Sequence, residues 1–391
     1  MKTCCRCILP STAANIEFDS EGVCNYCRTY ERYREILTDY EHLRPLLLDR
    51  IDRFRGKYEY DCMIGLSGGK DSSYVAYRLI KEHKLRALLY TYDNGFLSDY
   101  ARQNIKQVVG ELGMDHVLFT PDQELEQAIY RSSLKLFGIP CIGCTFPGMA
   151  HMVKVAIHKN IPLIFHGRSR AQMFKELTEG AIDVFLPFLY GNFRSYDAVN
   201  NRKFLVTAAK RIIFLLKILV PQKHLKKKLR ETFIPDLERI RTSEYAPEAV
   251  GLFLYERYDE EHIKNTLQDN FGWKRSDTGE HLLSHEDCLV HSVASYLYTI
   301  IQGQPMLCQE LSTMIREGNM SRDEALSRVK EEEFIHTYSP DAMAHLCNMT
   351  GMGEEKIIRI ARFSRMRFNL MKVGLKALYS VRRRPRLPVV S

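Results

Sequence analysis

Residues 61–73 read DCMIGLSGGKDSS. A short apolar run ends in Ser67-Gly68-Gly69-Lys70-Asp71-Ser72, a set of residue types suited to holding phosphate. Glycines let backbone N–H groups approach phosphate oxygens, and a helix starting there adds the partial positive charge of its N-terminus. Lys70 can supply a cation to the β- and γ-phosphates, Asp71 can help place Mg²⁺, and Ser67 and Ser72 can donate hydroxyls. The G-x-x-x-x-G-K-[ST] spacing of the common phosphate loop is absent. The plain alternative is a Gly-Gly turn with a capping serine.

The cysteines are the second chemical signal. Cys4-x-x-Cys7 and Cys24-x-x-Cys27 form two knuckles with a short loop between them. Zinc takes four soft ligands in a tetrahedron, and two such turns supply them, with Cys5 able to stand in for Cys4. Cys141-x-x-Cys144, in GIPCIGCTFPG, is less specific. It suits a metal centre, a redox pair, a second zinc site, or two cysteines lining a core turn. His285, Asp287 and His291 surround Cys288 in SHEDCLVH. Metal ligation or orientation of a small nucleophile competes there with a helix cap, and the cap is the preferred reading.

Positioning these groups takes an alternation of strands and helices. Strands are expected at Cys62–Leu66, Arg86–Asp93, His116–Thr120 and Ile161–Gly167. Helices are expected near Tyr74–His83, Tyr100–Leu112, Leu125–Phe137 and Met149–His158. That pattern predicts an α/β fold with a doubly wound parallel sheet, whose ligands sit beyond the carboxyl ends of its strands. Leu66, Asp93 and Gly167 all lie at such ends. Arg168 and Arg170 follow Gly167, where a guanidinium could meet a diphosphate or simply face water. The expected organisation is a zinc-binding module over 1–30, a linking helix over 31–56, the sheet domain over 57–190, and a basic segment with a mostly helical region over 191–391. MSRDEALSRVK carries a capping box, with Ser321 as N-cap and Glu324 three residues on.

The hexapeptide after its strand resembles the PP-loop of the ATP pyrophosphatase superfamily, a HUP-like fold. The resemblance implies that ATP is split between its α- and β-phosphates, that a substrate oxygen takes AMP, and that a nucleophile then displaces it. It places Asp93 and Asn94, in YTYDNGF, near the adenine and ribose, although an Asp-Asn-Gly turn explains the same residues. Cys141 and Cys144 follow the loop at a distance similar to that in the cluster-dependent tRNA thiolases of this superfamily. That similarity implies a [4Fe-4S] cluster on three cysteines, and Cys288 could supply the third. The order and spacing of CCRCILPSTAANIEFDSEGVCNYC, the loop, YERYDEEHIKNTLQDNFGWKRS, HEDCLVHSVASYLY and IREGNMSRDEALSRV resemble the N-acetyl sugar amidotransferase family of lipopolysaccharide and surface-glycan biosynthesis. This implies conversion of the acetamido group of a nucleotide-linked sugar into an acetamidino group. ATP, Mg²⁺ and Zn²⁺ are the implied cofactors, and a separate glutaminase with a cyclase-like channel protein the implied source of ammonia. The alternatives are an iron–sulfur thiolase acting on tRNA or a small molecule, and a non-catalytic zinc-containing scaffold.

Composition frames these readings. The chain has 391 residues, 45% hydrophobic and 27% charged, which suits a globular protein with a substantial core. No apolar run reaches the roughly 20 residues of a membrane span, and Met1–Cys7 does not read as a secretory signal. Its eleven cysteines then point to a reducing, cytoplasmic setting. The formal charge of +8 is uneven. Arg202–Arg230 and Arg359–Arg386 mix cations with apolar residues. They suit RNA phosphates, peripheral contact with an anionic inner membrane surface, or solvated helix faces.

Overall fold

The computed structural model describes residues 2–175, 177–179, 198–274, 287–331 and 336–379; of 198–201 and 367–379 only the backbone is described. Four of its strands are the runs just read: β1 (Cys62–Gly65), β2 (Ala87–Tyr92), β3 (His116–Phe119) and β4 (Leu163–His166). β1, β2 and β4 are apolar on both faces because helices cover both sides of a parallel sheet. The fifth, β5 (Glu248–Gly251), extends the sheet beyond β4. This strand lies inside the region 191–391, which was expected to be mostly helical. Four residues are too few to show a period of two, and their strand state comes from pairing with Leu163–His166.

All pairings are parallel, and the order is β3-β2-β1-β4-β5. The direction of winding reverses between β1 and β4. A crevice opens at such a point beyond the carboxyl ends of the two strands. The Ser67–Ser72 loop leaves β1 and Gly167 leaves β4, so both border it.

α1 (Asn25–Thr38) and α2 (Tyr40–Phe54) replace the single linking helix expected. The break falls at Asp39, whose carboxylate accepts from the His42 amide at 3.3 Å and caps α2. α3 (Lys70–Tyr77) starts inside the loop motif itself, four residues earlier than the apolar period suggests. α4 (Asp99–Leu112) and α5 (Gln123–Phe137) are capped by Ser98 and Asp122 and stopped by left-handed Gly113 and Gly138. α6 (Cys141–His158) also starts early, so Cys141 and Cys144 lie one turn apart in its first turn. α7 (Arg170–Phe174), α8 (Ala198–Leu219), α9 (Lys226–Phe233) and α10 (Leu237–Thr242) lead to β5. α11 (Glu260–Phe271), α12 (His291–Gln302), α13 (Leu307–Glu317), α14 (Arg322–Glu331), α15 (Pro340–Thr350) and α16 (Glu354–Tyr379) follow among the described residues.

One core joins α1, α2, α3, α4 and α11 to the sheet through Leu37, Leu47, Val75, Val108 and Leu267. Another covers the opposite face through Met63, Leu88, Ile164 and Ala156 of α6. The N-terminal module packs on α13 and α14: Ile8 is buried among Leu307, Leu311 and Ala325. The Ile8 amide donates to Ser312 Oγ at 3.4 Å, and Arg322 Nε donates to the Cys7 carbonyl at 3.2 Å.

Candidate active site

Gly68 shows where the loop needs a glycine. Its φ is +83°, and a Cβ built there would lie 2.4 Å from the Ala101 carbonyl oxygen. No side chain fits without moving α4. Gly167 is equally constrained, since its Cβ would fall 2.5 Å from the Ser72 amide nitrogen. The end of β4 and the start of α3 therefore touch backbone to backbone. The Ser67 amide donates to Ser72 Oγ at 3.1 Å, and Ser72 Oγ donates to the Gly69 carbonyl at 3.1 Å. The Gly68 carbonyl accepts from Trp273 Nε1 at 3.1 Å and Asn104 Nδ2 at 3.2 Å. The chain's single tryptophan thus ties the loop to the segment following α11.

Lys70 and Asp71 do not point apart into solvent. Lys70 Nζ donates to Asp71 Oδ1 at 3.0 Å and to Tyr258 Oη at 2.6 Å, and Tyr258 Oη donates to the same Asp71 oxygen at 2.9 Å. Burial alone would lower the Lys70 ammonium, but Asp71, Tyr258 and Glu260 outweigh it and hold the group above its ordinary value. Burial likewise pushes the Tyr258 phenol up, with Asp71 adding to it, so the phenol stays neutral. The result is a charged lysine held by a carboxylate and a phenol at a helix N-terminus, an arrangement ready for polyanionic phosphate.

These residues line a solvent-open cavity. Its floor is Gly68–Asp71, and α11, α13 and α14 contribute Glu260, Lys264, Glu310, Glu317 and Arg328 to its walls. Asp287 also lines it, and its Oδ2 lies 3.5 Å from where a Gly69 Cβ would stand. Tyr258, Trp273 and Asp287 converge here from far along the chain. The YERYDEEHIKNTLQDNFGWKRS and HEDCLVH segments hold all three, but nothing local in those segments says that they meet the loop.

Asp93 and Asn94 sit at the end of β2, and both build the turn. Asp93 accepts from the Gly95 amide at 3.1 Å and forms a two-pronged pair with Arg102, at 2.7 and 3.3 Å. Asn94 Oδ1 accepts from the Phe96 amide at 3.0 Å. Its amide nitrogen donates to Cys144 Sγ at 2.9 Å. Arg168 is exposed at the end of β4. Arg170 is 2% exposed and turned inward: Nε lies 2.7 Å from Glu317, and Nη2 donates to the Leu37 carbonyl at 3.1 Å. Tyr40 and Phe174 stack near the guanidinium. Its donors are engaged in bracing α7 against α13 and α1, although the residue borders the cavity. The water-facing alternative does not hold for it, and its fork is not open to a diphosphate.

The two cysteine sets differ in geometry. Among the described residues, Cys4, Cys7, Cys24 and Cys27 are the group whose ligand atoms gather within 4.8 Å of one another, all buried. Cys4–Cys27 and Cys7–Cys24 have Sγ separations of 3.9 and 3.7 Å. A tetrahedral ion with bonds of about 2.3 Å to sulfur has edges of about 3.8 Å, so the site fits one ion. Cys24 and Cys27 hold the Cys7 thiol below its ordinary value. Cys5 is exposed and its sulfur donates to the Glu21 carbonyl, outside the set.

Cys141, Cys144 and Cys288 come from two elements. Cys288 bridges Leu97 just beyond β2, and Cys144 packs in the same cluster as Cys288 and Phe96. Burial pushes the Cys144 thiol up to about 12 against the pull of Asn94, with Cys141 and Asp287 adding to the rise. Burial raises Cys288 too, followed by Asp287, Cys144 and Cys141. The three sulfurs thus share one electrostatic neighbourhood but do not crowd around a single ion. His291 opens α12; His285 lies outside the described residues, as does the Ser380–Arg386 stretch of the basic tail.

No family model matches the chain. No curated protein matches it either. Among solved structures the chain is similar to the "U34-tRNA thiolase NcsA from Methanococcus maripaludis with its [4Fe-4S] cluster", at 14% identity and a TM-score of 0.31, over 90% of this chain and 99% of that one. A likeness of that size leaves fold and chemistry to be argued from the residues themselves.

Proposed function

We propose that this chain is an ATP-dependent, AMP- and pyrophosphate-forming enzyme of the PP-loop kind. It adenylates the acetamido oxygen of a nucleotide-linked N-acetyl sugar and lets ammonia displace AMP. The carrying observation is the Ser67–Asp71 loop at the sheet's switch point, with Lys70 held by Asp71 and Tyr258 beside the cavity. The glycine amides and Lys70 bind the β- and γ-phosphates, which turns the α-phosphorus toward the crevice beyond β4. The amide oxygen attacks that phosphorus, the α–β bridging bond breaks, and pyrophosphate leaves. Ammonia then adds to the activated carbon, and AMP departs with the former amide oxygen. Mg²⁺ would neutralise phosphate charge there, and Asp71, Glu260 and Asp287 are the cavity carboxylates able to hold it. The choice of ammonia and of the sugar rests on the ordered motifs from Cys4 to about Val329. Ammonia would come from a glutaminase partner through a channel protein. Zinc at Cys4, Cys7, Cys24 and Cys27 is structural in this reading.

One observation favours a second reading. Cys141, Cys144 and Cys288 share a buried neighbourhood beside Asp287, which itself faces the loop. A [4Fe-4S] cluster on them would supply an open iron for sulfur, and the adenylated oxygen would then be replaced by sulfur on tRNA or a small molecule. The test supplies ATP, a panel of nucleotide-linked N-acetyl sugars, and either ammonium or sulfide, with products read by mass spectrometry. An acetamidino sugar formed only with ammonium is the expected result. A thioamide, or thiolated tRNA with every sugar untouched, would replace the first reading with the second.

A further inference from the structure

Between Arg202 and Arg230 the chain carries ten lysines and arginines and no acidic residue. α8 covers most of this stretch and has two faces. Val206, Ala209, Leu216 and Leu219 are buried, packing on α5, α6 and α10 through Ile129, Ala150, Ile157 and Ile240. The opposite face carries exposed Lys203, Lys210, Arg211 and Lys217. Phe214, 67% exposed, and Ile218, 39% exposed, stand one turn apart among them. Among the described residues no carboxylate forms an ion pair with these four cations, whereas Lys228, further on, pairs with Asp122.

We infer that this face of α8 docks the protein on an anionic lipid bilayer. A water-facing stripe of cations needs no phenylalanine or isoleucine in its centre, because each exposed apolar side chain costs free energy in water. A bilayer surface satisfies both features together. Lipid phosphates take the cations, and Phe214 and Ile218 enter the boundary between headgroups and chains. α8 has 22 residues, about 33 Å of helix. No described helix is long and apolar enough to cross a membrane, so α8 would lie on the surface. A nucleic acid is the weaker match. Proteins position RNA and DNA with amide and hydroxyl side chains as well as cations, and between Lys203 and Val220 the only uncharged polar residue is Thr207.

The test is co-sedimentation of the full chain with vesicles of phosphatidylcholine alone, or of phosphatidylcholine and phosphatidylglycerol in equal parts, beside a tRNA-binding assay. The wild type should pellet with the anionic vesicles only, and added salt should weaken the binding. Replacing Lys210, Arg211 and Lys217 together by glutamine should weaken partitioning about a hundredfold, at roughly fivefold per cation. Phe214→Ser should weaken it about tenfold. Both variants change only exposed side chains, and their thermal melts should match the wild type. Absence of binding to anionic vesicles, unchanged binding by both variants, or retention of tRNA without vesicles would each overturn the proposal.

Discussion

The two cysteine sets carry the same thiol chemistry and are built in different ways. Cys4, Cys7, Cys24 and Cys27 come from two adjacent turns, are at most 4% exposed, and close a tetrahedron on themselves. Cys141, Cys144 and Cys288 need α6, the β2 turn and a residue far along the chain to meet. The first set braces helices, because its module carries Ile8 and receives Arg322 from α14. The second lies beside Asn94 and Asp287, and therefore beside the cavity. A site closed on one ion with no open position is a structural device. The second set is tied to the cavity through Asp287, which lines it.

The sharpest way to break this comparison is to damage each set in turn. Cys24→Ser should remove the bound metal and lower the melting temperature more than any other single change, since structural zinc in small modules is worth about 10–16 kcal/mol in apparent terms. It should also weaken ATP binding, because α13 and α14 wall the cavity. Cys144→Ser should leave zinc content and melting unchanged. Elemental analysis with thermal melts reads both, and full metal content in Cys24→Ser would reverse the assignment of roles.

A smaller effect separates bracing from chemistry within the cavity wall. Glu317→Gln leaves the Arg170 guanidinium buried without its carboxylate and should cost about 3–5 kcal/mol in denaturant unfolding. Arg168→Ala, at an exposed position, should change stability by less than about 0.5 kcal/mol. Lys70→Ala should keep the fold and cut pyrophosphate release by about 10²–10³-fold, the usual loss for one preorganised charge-stabilising donor. Tyr258→Phe should cost about tenfold in the same assay, because it removes the bridge between Lys70 and Asp71.

A pH dependence offers a further test near the second set. Burial pushes the Glu126 carboxyl up to about 8 from 4.5, with Tyr92 donating to it at 3.4 Å. A carboxyl with a raised folded value stabilises the fold fully below 4.5, and that stability is lost as pH rises toward 8. The wild type should lose up to about 1.4 kcal/mol per pH unit across that window relative to Glu126→Gln. Equal slopes for the two proteins would remove Glu126 from this account.

The parts of the site that are local in sequence were readable from it. Strand, glycine loop and helix follow one another from Cys62 to Tyr77, and paired C-x-x-C knuckles announce their geometry by spacing. Residues that act through folding were not readable. Tyr258 and Asp287 reach the loop only because α11 and α12 fold back over it, and no local pattern marks them as different from other polar residues. Arg170 follows a strand end as a phosphate ligand might, yet its burial against Glu317 depends on a contact 147 residues away. The start of α6 was hidden by Gly143, Gly148 and Pro147, which read as a loop. Tyr130 and Tyr92 pack closely enough against the two glycines that a side chain there would crowd them, so packing sets the helix there more than propensity does.

The central claim is that the Ser67–Ser72 loop directs cleavage between the α- and β-phosphates. Its most direct test is to incubate the purified protein with ATP and each candidate acceptor, and to quantify nucleotides by chromatography alongside enzymatic assays for pyrophosphate and phosphate. AMP and pyrophosphate should appear in equal amounts and be lost in Lys70→Ala. ADP and inorganic phosphate in their place, or undiminished AMP formation by Lys70→Ala, would contradict the account.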